Sequence, residues 1–251
     1  MEWNPEAYGR FTDLRLRPAL DLLRALGPVP DGPVVDLGCG AGAVGPALTR
    51  LNRPLTGVDS SGAMLARAEA TGVYARLEEA DIAGWHAEVP PALIFSNAAL
   101  HWLPDHAALL PRLVAQLAPD GVLAVQVPHQ NDAPSHRLWR TLAAERGVSL
   151  PDGPGVLTPA EYHAILAPLG AVDLWETEYL QHLAPAAEGH PVRRFTESTY
   201  GGAILDALPE HEREDVRAAY DRRVAEAYPL DSAGGTLFPF RRLFFILRRT
   251  A

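Results

Sequence analysis

The chain has 251 residues, of which 47% are hydrophobic, so it can bury a large core as one domain or as a domain with a cap. Its net charge of −9 argues against nonspecific nucleic-acid binding, which needs clustered cations. Cys39 is the only cysteine and no zinc-type Cys/His spacing occurs, so we expect neither a disulfide framework nor a metal site.

The first residues, MEWNPEAYGRFTD, lack the basic and apolar regions of a secretion signal. No later stretch approaches the ~18 apolar residues that would span a bilayer. We therefore expect a cytoplasmic protein that does not associate with membranes.

Predicted helices and strands alternate along the chain. A first helix, within residues 1–28, is predicted to begin near Asn4 and end near Leu26. From Pro33 onward, short apolar runs alternate with amphipathic stretches. The runs predicted as strands are VVDL, LTGVD, YARLEEAD, ALIFSN and GVLAVQV; the helices between and after them end near Arg50 and Thr71 or cover 105–117 and 135–146. This alternation predicts βαβ units and a parallel sheet, hence the α/β class.

Two further strands are predicted near the end of the chain, AVDLWETEYLQHL and LFPFRRLFFILRR, after a short helix at 159–169. The intervening residues 186–228 are mostly charged and helical in pattern. We interpret the chain as a single domain, 1–251, with a core of 30–180 and 236–251. A helical cap, 181–230, is then inserted between the last two strands.

The stretch VVDLGCGAGAVGPAL ends a predicted strand with Gly38, Gly40 and Gly42 at alternate positions. Such a turn before a helix lets backbone N–H groups approach an anionic or polar ligand. One ligand class is a dinucleotide, because Gly40, Gly42 and Gly45 satisfy G-x-G-x-x-G and Asp59 lies at the spacing of a ribose ligand. An NAD-dependent oxidoreductase is therefore one alternative.

The other ligand class is S-adenosylmethionine, and the placement of acids favours it. Asp36 precedes the glycines, Asp59 ends the second strand and Asp81 ends the third, so the three lie along one edge of the sheet. Asn97 ends the next strand. The residues predicted to bind this cofactor are Asp36, Gly38, Gly40, Gly42, Asp59, Ser60, Met64, Asp81, Ile82 and Asn97. Asp105 is interpreted as a helix N-cap.

Further stretches carry a resemblance that runs through nearly the whole chain. In order they are WNPEAYGRFTDLRLRPALDLL, GVDSSGAMLARA, EADIAGW, LIFSNAALHWLPDHAALLPRL, LAPDGVLAVQVP, LTPAEYHAIL, ILDALPE and FPFRRLFFILRR. They resemble class I methyltransferases, and more closely the trans-aconitate 2-methyltransferase family.

The resemblance implies a fold and a reaction. The fold is a Rossmann-like, mostly parallel seven-stranded sheet with an antiparallel last strand, helices on both faces, a small helical cap, and an N-terminal helix over the active site. The reaction is O-methylation of a carboxylate of a small acid such as trans-aconitate by S-adenosylmethionine, which releases S-adenosylhomocysteine.

An ionised carboxylate is already a nucleophile near neutral pH, so no catalytic acid or base is expected. Candidates for binding the acid combine cations, hydrogen-bond donors and a pocket wall. They are Tyr8, Arg15, Arg17, His101, Trp102, His129, Arg194 and Thr199.

The predicted cap departs from the family's pattern. Phe195 stands in place of a tryptophan, Ser198-Thr199 in place of Gly-Thr, and Gly202-Ala203 in place of Arg-Pro; His101 replaces a common glutamine. Losing an arginine removes a bidentate partner for a carboxylate, so the acid is expected to be smaller or less charged than trans-aconitate. A carrier-bound or isoprenoid acid and a non-catalytic S-adenosylmethionine-binding protein stay open, as does the choice between monomer and homodimer.

Overall fold

The computed structural model describes residues 12–148 and 155–250; the side chains of residues 12–15 and of Thr199 lie outside that description. The described chain divides into two units. The sheet unit comprises 12–128, 155–177 and 242–250, and the helical unit comprises 129–148 and 178–241.

The described residues form a seven-stranded sheet in the order β3-β2-β1-β4-β5-β7-β6. The strands are β1 Val34–Leu37, β2 Leu55–Asp59, β3 Arg76–Glu79, β4 Leu93–Asn97, β5 Val122–Pro128, β6 Gly170–Leu183 and β7 Thr236–Arg249. Neighbours from β3 to β5 are parallel, and β7 runs antiparallel to β5. This confirms the predicted sheet. The strand order reverses between β1 and β4, the position where open α/β sheets bind ligands.

The helices also follow the predicted pattern. They are α1 Thr12–Ala25, α2 Gly45–Leu48, α3 Gly62–Glu69, α4 His106–Gln116, α5 Pro134–Glu145, α6 Pro159–Leu166, α7 Pro191–Thr196, α8 Gly202–Asp206 and α9 Glu210–Ala227. The Asp105 side chain accepts a hydrogen bond from the amide of Ala108, so the predicted N-cap of α4 is confirmed. The helix predicted to reach Arg50 is shorter than expected, because α2 passes into a 3-10 turn at Thr49–Leu51.

The two faces of the sheet unit carry different side chains. One face buries aliphatic and aromatic side chains such as Ile94, Leu123, Val125 and Phe245 against α4 and α6. Because side chains alternate along a strand, the residues between these lie on the other face. That face carries Asp36 on β1, in register with Phe95 on β4.

The helical unit is held together by buried aromatic and polar side chains. Trp139 of α5 stacks on Tyr220 of α9 with ring centroids 4.1 Å apart, and its indole N–H donates to the Thr196 hydroxyl. A Cβ on Gly201 would lie 2.5 Å from the Trp139 ring, so glycine is needed there. The helix α5, which the sequence placed in the core, therefore packs with the helices that follow β6. The division into core and cap otherwise stays a prediction.

Within the described ranges, no helix combines the length and the apolar character required to cross a membrane.

Candidate cofactor and substrate site

The glycine-rich turn after β1 has a left-handed backbone at Gly38, Gly40 and Gly42, with φ of 79°, 55° and 78°. A Cβ on Gly38 would lie 2.2 Å from the Cβ of Ala99, so packing also requires glycine there. At Gly40, by contrast, a Cβ would meet only the methyl group of Met64, at 3.9 Å. The backbone is thus open at Gly40, where a ligand can approach it.

The Asp59 carboxylate ties this turn to the end of β2. Its Oδ2 accepts a hydrogen bond from the amide of Gly40 at 2.9 Å, and its Oδ1 accepts one from the amide of Ser61 at 3.0 Å. An ionised carboxylate has about four acceptor positions, so two stay available for hydroxyl groups of a ligand. The geometry fits the predicted role of Asp59 as a ribose ligand.

Asp36 has a partner that the sequence did not indicate, the hydroxyl of Tyr74, which donates to Oδ2 at 2.7 Å. Asp36 is 2% exposed, and burial raises the pKa of its carboxyl group to about 7, although the Tyr74 hydrogen bond acts in the opposite direction. Tyr74 lies where Gly42, Gly45 and Gly57 leave room for its ring. The pair therefore supports the glycine-rich turn from within the protein.

The loop after β3 is held by backbone contacts. The exposed Asp81 accepts a hydrogen bond from the amide of Ala83 at 2.9 Å, and Ile82 is buried. The guanidinium of Arg112 donates to the carbonyl groups of Ile82 and Trp85 at 2.7 and 2.6 Å. Arg112, which sequence reasoning missed, fixes the loop that carries Asp81.

Asn97 ends β4 with an unsatisfied acceptor. Its Oδ1 atom is buried and has no hydrogen-bond partner among the residues that the structure describes. The next residue, Ala98, has φ of 52°, which is strained for alanine and typical of functional sites. An open glycine backbone, a carboxylate with free acceptor positions and an unsatisfied amide oxygen fit S-adenosylmethionine, whose ribose and amino groups are hydrogen-bond donors.

The remaining predicted cofactor residues lie next to these. Ser60 is exposed after β2, and the buried Met64 belongs to the first turn of α3, where its amide donates to the Ser61 hydroxyl at 3.4 Å. Burial raises the pKa of the Cys39 thiol above its usual range, so Cys39 is protonated near neutral pH and is a poor nucleophile.

The candidates for binding the acid are divided between the two units. In the sheet unit, Arg17 is exposed and lies 3.9 Å from Asp21, His101 is buried, and Trp102 is 39% exposed. In the helical unit, His129 is half-buried and Arg194 is exposed. Tyr8 lies outside the described residues, as do the side chains of Arg15 and Thr199. These assignments stay predictions.

Comparisons with known proteins identify the family. Residues 8–171 match the methyltransferase domain family. The chain is 40% identical to a trans-aconitate 2-methyltransferase of Variovorax paradoxus and 39% identical to one of Paracidovorax citrulli. Each alignment covers all of this chain and at least 99% of the relative. The chain belongs to the trans-aconitate 2-methyltransferase family.

Solved structures agree on the fold of this family member. The YcgJ protein of Bacillus subtilis is 15% identical, with a TM-score of 0.61 over 94% of this chain and 99% of that one. Phosphoethanolamine N-methyltransferase 2 of Haemonchus contortus, solved with S-adenosylmethionine, is 14% identical, with a TM-score of 0.55 over 93% of this chain and 53% of that one. The prediction of a class I, S-adenosylmethionine-dependent methyltransferase is confirmed, and the oxidoreductase alternative is set aside.

Apart from His101, the residues that we expected to depart from the family's pattern lie in or beside a distorted helical segment. Glu197–Gly201 forms a π-helix between α7 and α8, and the Ser198 hydroxyl donates to the carbonyl of Phe195 at 2.7 Å. Phe195 itself packs against Phe238 and Phe240. A π-helix is rare and often occurs at functional sites. The sequence showed where the chain departs but gave no indication of this backbone form.

Arg193 anchors the π-helix Glu197–Gly201, and its side chain is 3% exposed. The guanidinium donates to Asp221 at 2.8 Å and to Glu197 at 2.7 Å. The sequence analysis named Arg194, and not its neighbour Arg193, as a candidate for binding the acid. Tertiary packing separates them, because the Arg193 side chain is 3% exposed between Asp221 and Glu197, whereas Arg194 is 45% exposed and lies 3.8 Å from Glu197.

Proposed function

We propose that the protein methylates a carboxylate of trans-aconitate with S-adenosylmethionine and forms a methyl ester and S-adenosylhomocysteine. The observation that carries this proposal is the identity of about 40% along the entire chain to relatives with that name. The open turn at Gly40 and the acceptor groups of Asp59 and Asn97 support the choice of cofactor.

In this proposal the chain binds and orients the reactants. The backbone around Gly40 and the carboxylate of Asp59 would hold the nucleoside part of the cofactor, and Asn97 would accept a hydrogen bond from one of its donors. The bound cofactor supplies an electrophilic methyl group. The acceptor's own carboxylate is the nucleophile, and holding it in line can contribute about 7 kcal/mol or more to lowering the barrier.

No side chain needs to move a proton in this reaction. The rate of the chemical step, measured in single turnovers with saturating reactants, is therefore expected to be flat from about pH 6.5 to 8.5, because the acid is ionised throughout. A bell-shaped profile centred near pH 7 would contradict the mechanism and indicate general acid–base catalysis.

The proposed substrate is tested by S-adenosylhomocysteine release from purified protein given S-adenosylmethionine. Trans-aconitate is compared with cis-aconitate, isocitrate and simpler acids. Turnover that is highest on trans-aconitate supports the proposal. If no acid is turned over although the cofactor binds, the result would instead support a non-catalytic S-adenosylmethionine-binding protein.

A second candidate is the same reaction on a smaller acid. It is favoured by the expected loss of the family's arginine at Gly202, directly after the π-helix at Glu197–Gly201. In the same assay, higher turnover on a dicarboxylate than on trans-aconitate would support it.

We also propose a cytoplasmic location, in keeping with the single cysteine of the chain.

A further inference from the structure

Gln126 is a buried amide without partners in the sheet unit. It lies on β5, in register with Asn97 on β4 and with Phe244 on β7. Its exposed fraction is 0%, and neither Nε2 nor Oε1 has a hydrogen-bond partner within the described ranges. Directly paired residues project to the same face of a sheet, so Gln126 and Asn97 lie on the face that also carries Asp36.

A buried cation lies on this face beside Gln126. Arg242 pairs with Pro128, the last residue of β5, and is two positions from Phe244, so its side chain projects to the same face. It is 3% exposed, whereas its neighbour Arg241 is exposed. Adjacent arginines in a terminal strand are typical of a solvated strand edge, but pairing with β5 places Arg242 inside the sheet.

Gln126 and Arg242 lie at the edge of the sheet where ligands bind. The carboxyl ends of parallel strands line the ligand-binding edge, and Asn97, Gln126 and Pro128 all lie at those ends. A buried amide with both groups unsatisfied destabilises the fold, and an apolar residue of the same size would not. Such a residue is explained by a polar group that arrives from outside the protein.

The side chains of Gln126 and Arg242 favour an anionic ligand. The Gln126 amide nitrogen can donate to a carboxylate oxygen, and the guanidinium of Arg242 supplies the opposite charge. We propose that Gln126 and Arg242 form a subsite for a carboxylate of the acceptor acid other than the one that is methylated. The proposal rests on the function proposed above and specifies that the acceptor carries at least two carboxylates.

Gln126→Leu is the first test, because it preserves size and removes the unsatisfied amide. Gln126→Glu places a negative charge at the subsite. Gln181→Leu is the matched control, since Gln181 is also buried and its Oε1 also lacks a hydrogen-bond partner among the described residues. With S-adenosylhomocysteine saturating, thermal shifts are titrated with trans-aconitate, succinate and the monocarboxylate crotonate, and KM is measured for each acid that is turned over.

We expect both Gln126 variants to bind trans-aconitate and succinate about tenfold or more weakly, with a matching rise in KM, because a hydrogen bond to a charged group is lost. Affinity for S-adenosylhomocysteine and the shift with crotonate should not change. Gln126→Leu should unfold at the same or a higher temperature than the wild type, and Gln181→Leu should bind every acid normally. Arg242→Gln should weaken polycarboxylate binding in the same direction.

Equal binding of polycarboxylates by the wild type and both Gln126 variants would overturn the proposal. So would a wild type that no polycarboxylate stabilises, or a parallel loss of cofactor affinity in the variants. Polycarboxylate binding that depends on Gln126 without methylation of trans-aconitate would contradict the proposed substrate but retain the subsite.

Discussion

At the scale of single residues, Asp59 is the side chain that we predict to contact the cofactor most directly. Asp59→Ala removes the acceptor of two backbone amides and of the predicted ribose contact. We expect the Kd for S-adenosylhomocysteine, measured by calorimetry, to rise about 10- to 100-fold. The control is Asp105→Ala, which removes the N-cap of α4 and should cost about 1 kcal/mol of stability while cofactor affinity is retained. Equal losses of affinity would contradict the assignment.

Asp36 makes stability depend on pH. Burial raises the pKa of its carboxyl group from 3.8 to about 7, so between these values the folded protein binds more protons than the unfolded chain. This contribution to the unfolding free energy is complete below about pH 4 and is lost as the pH rises through 7. Between pH 5 and pH 8, the free energy of unfolding of the wild type should therefore fall by about 2 kcal/mol more than that of Asp36→Asn, as measured by urea denaturation. Parallel pH profiles would show that Asp36 is ionised throughout.

At the scale of elements, the glycine-rich turn and α2 depend on space shared with Tyr74. A Cβ on Gly45 would lie 2.7 Å from the Tyr74 hydroxyl. Gly45→Ala should therefore destabilise the protein by about 1 to 3 kcal/mol. In a Tyr74→Ala background the same change should cost less, because the ring is absent and the remaining overlap is with the Val73 side chain at 2.8 Å. A double-mutant cycle by urea denaturation measures this coupling, and additive effects would contradict it.

At the scale of the whole molecule, every predicted cofactor residue belongs to the sheet unit. S-adenosylhomocysteine at 100 times its Kd should stabilise the folded chain by about 2.7 kcal/mol, which corresponds to a rise in Tm of about 5 to 10 °C. The same concentration should raise the Tm of Asp59→Ala much less. A rise that is identical in both proteins would place the ligand elsewhere.

The sequence by itself determined the strands, the sheet class and the glycine-rich turn. These features are local: strand and helix periodicity, Gly38 to Gly42, and the N-cap at Asp105 can be read from neighbouring residues. The acids at strand ends could also be placed together, because parallel strands end at one edge of the sheet. This was enough to predict a cofactor that the family comparison then confirmed.

Only the tertiary structure decided which polar residues are buried and what they contact. Tyr74 is 38 positions from Asp36, and Arg242 meets the end of β5 only through pairing between distant strands. Burial separated Arg193 from Arg194 and Arg242 from Arg241, although each pair is adjacent in the chain. Local pattern carries no information on such contacts, because the partner and its distance arise only when the strands and helices assemble.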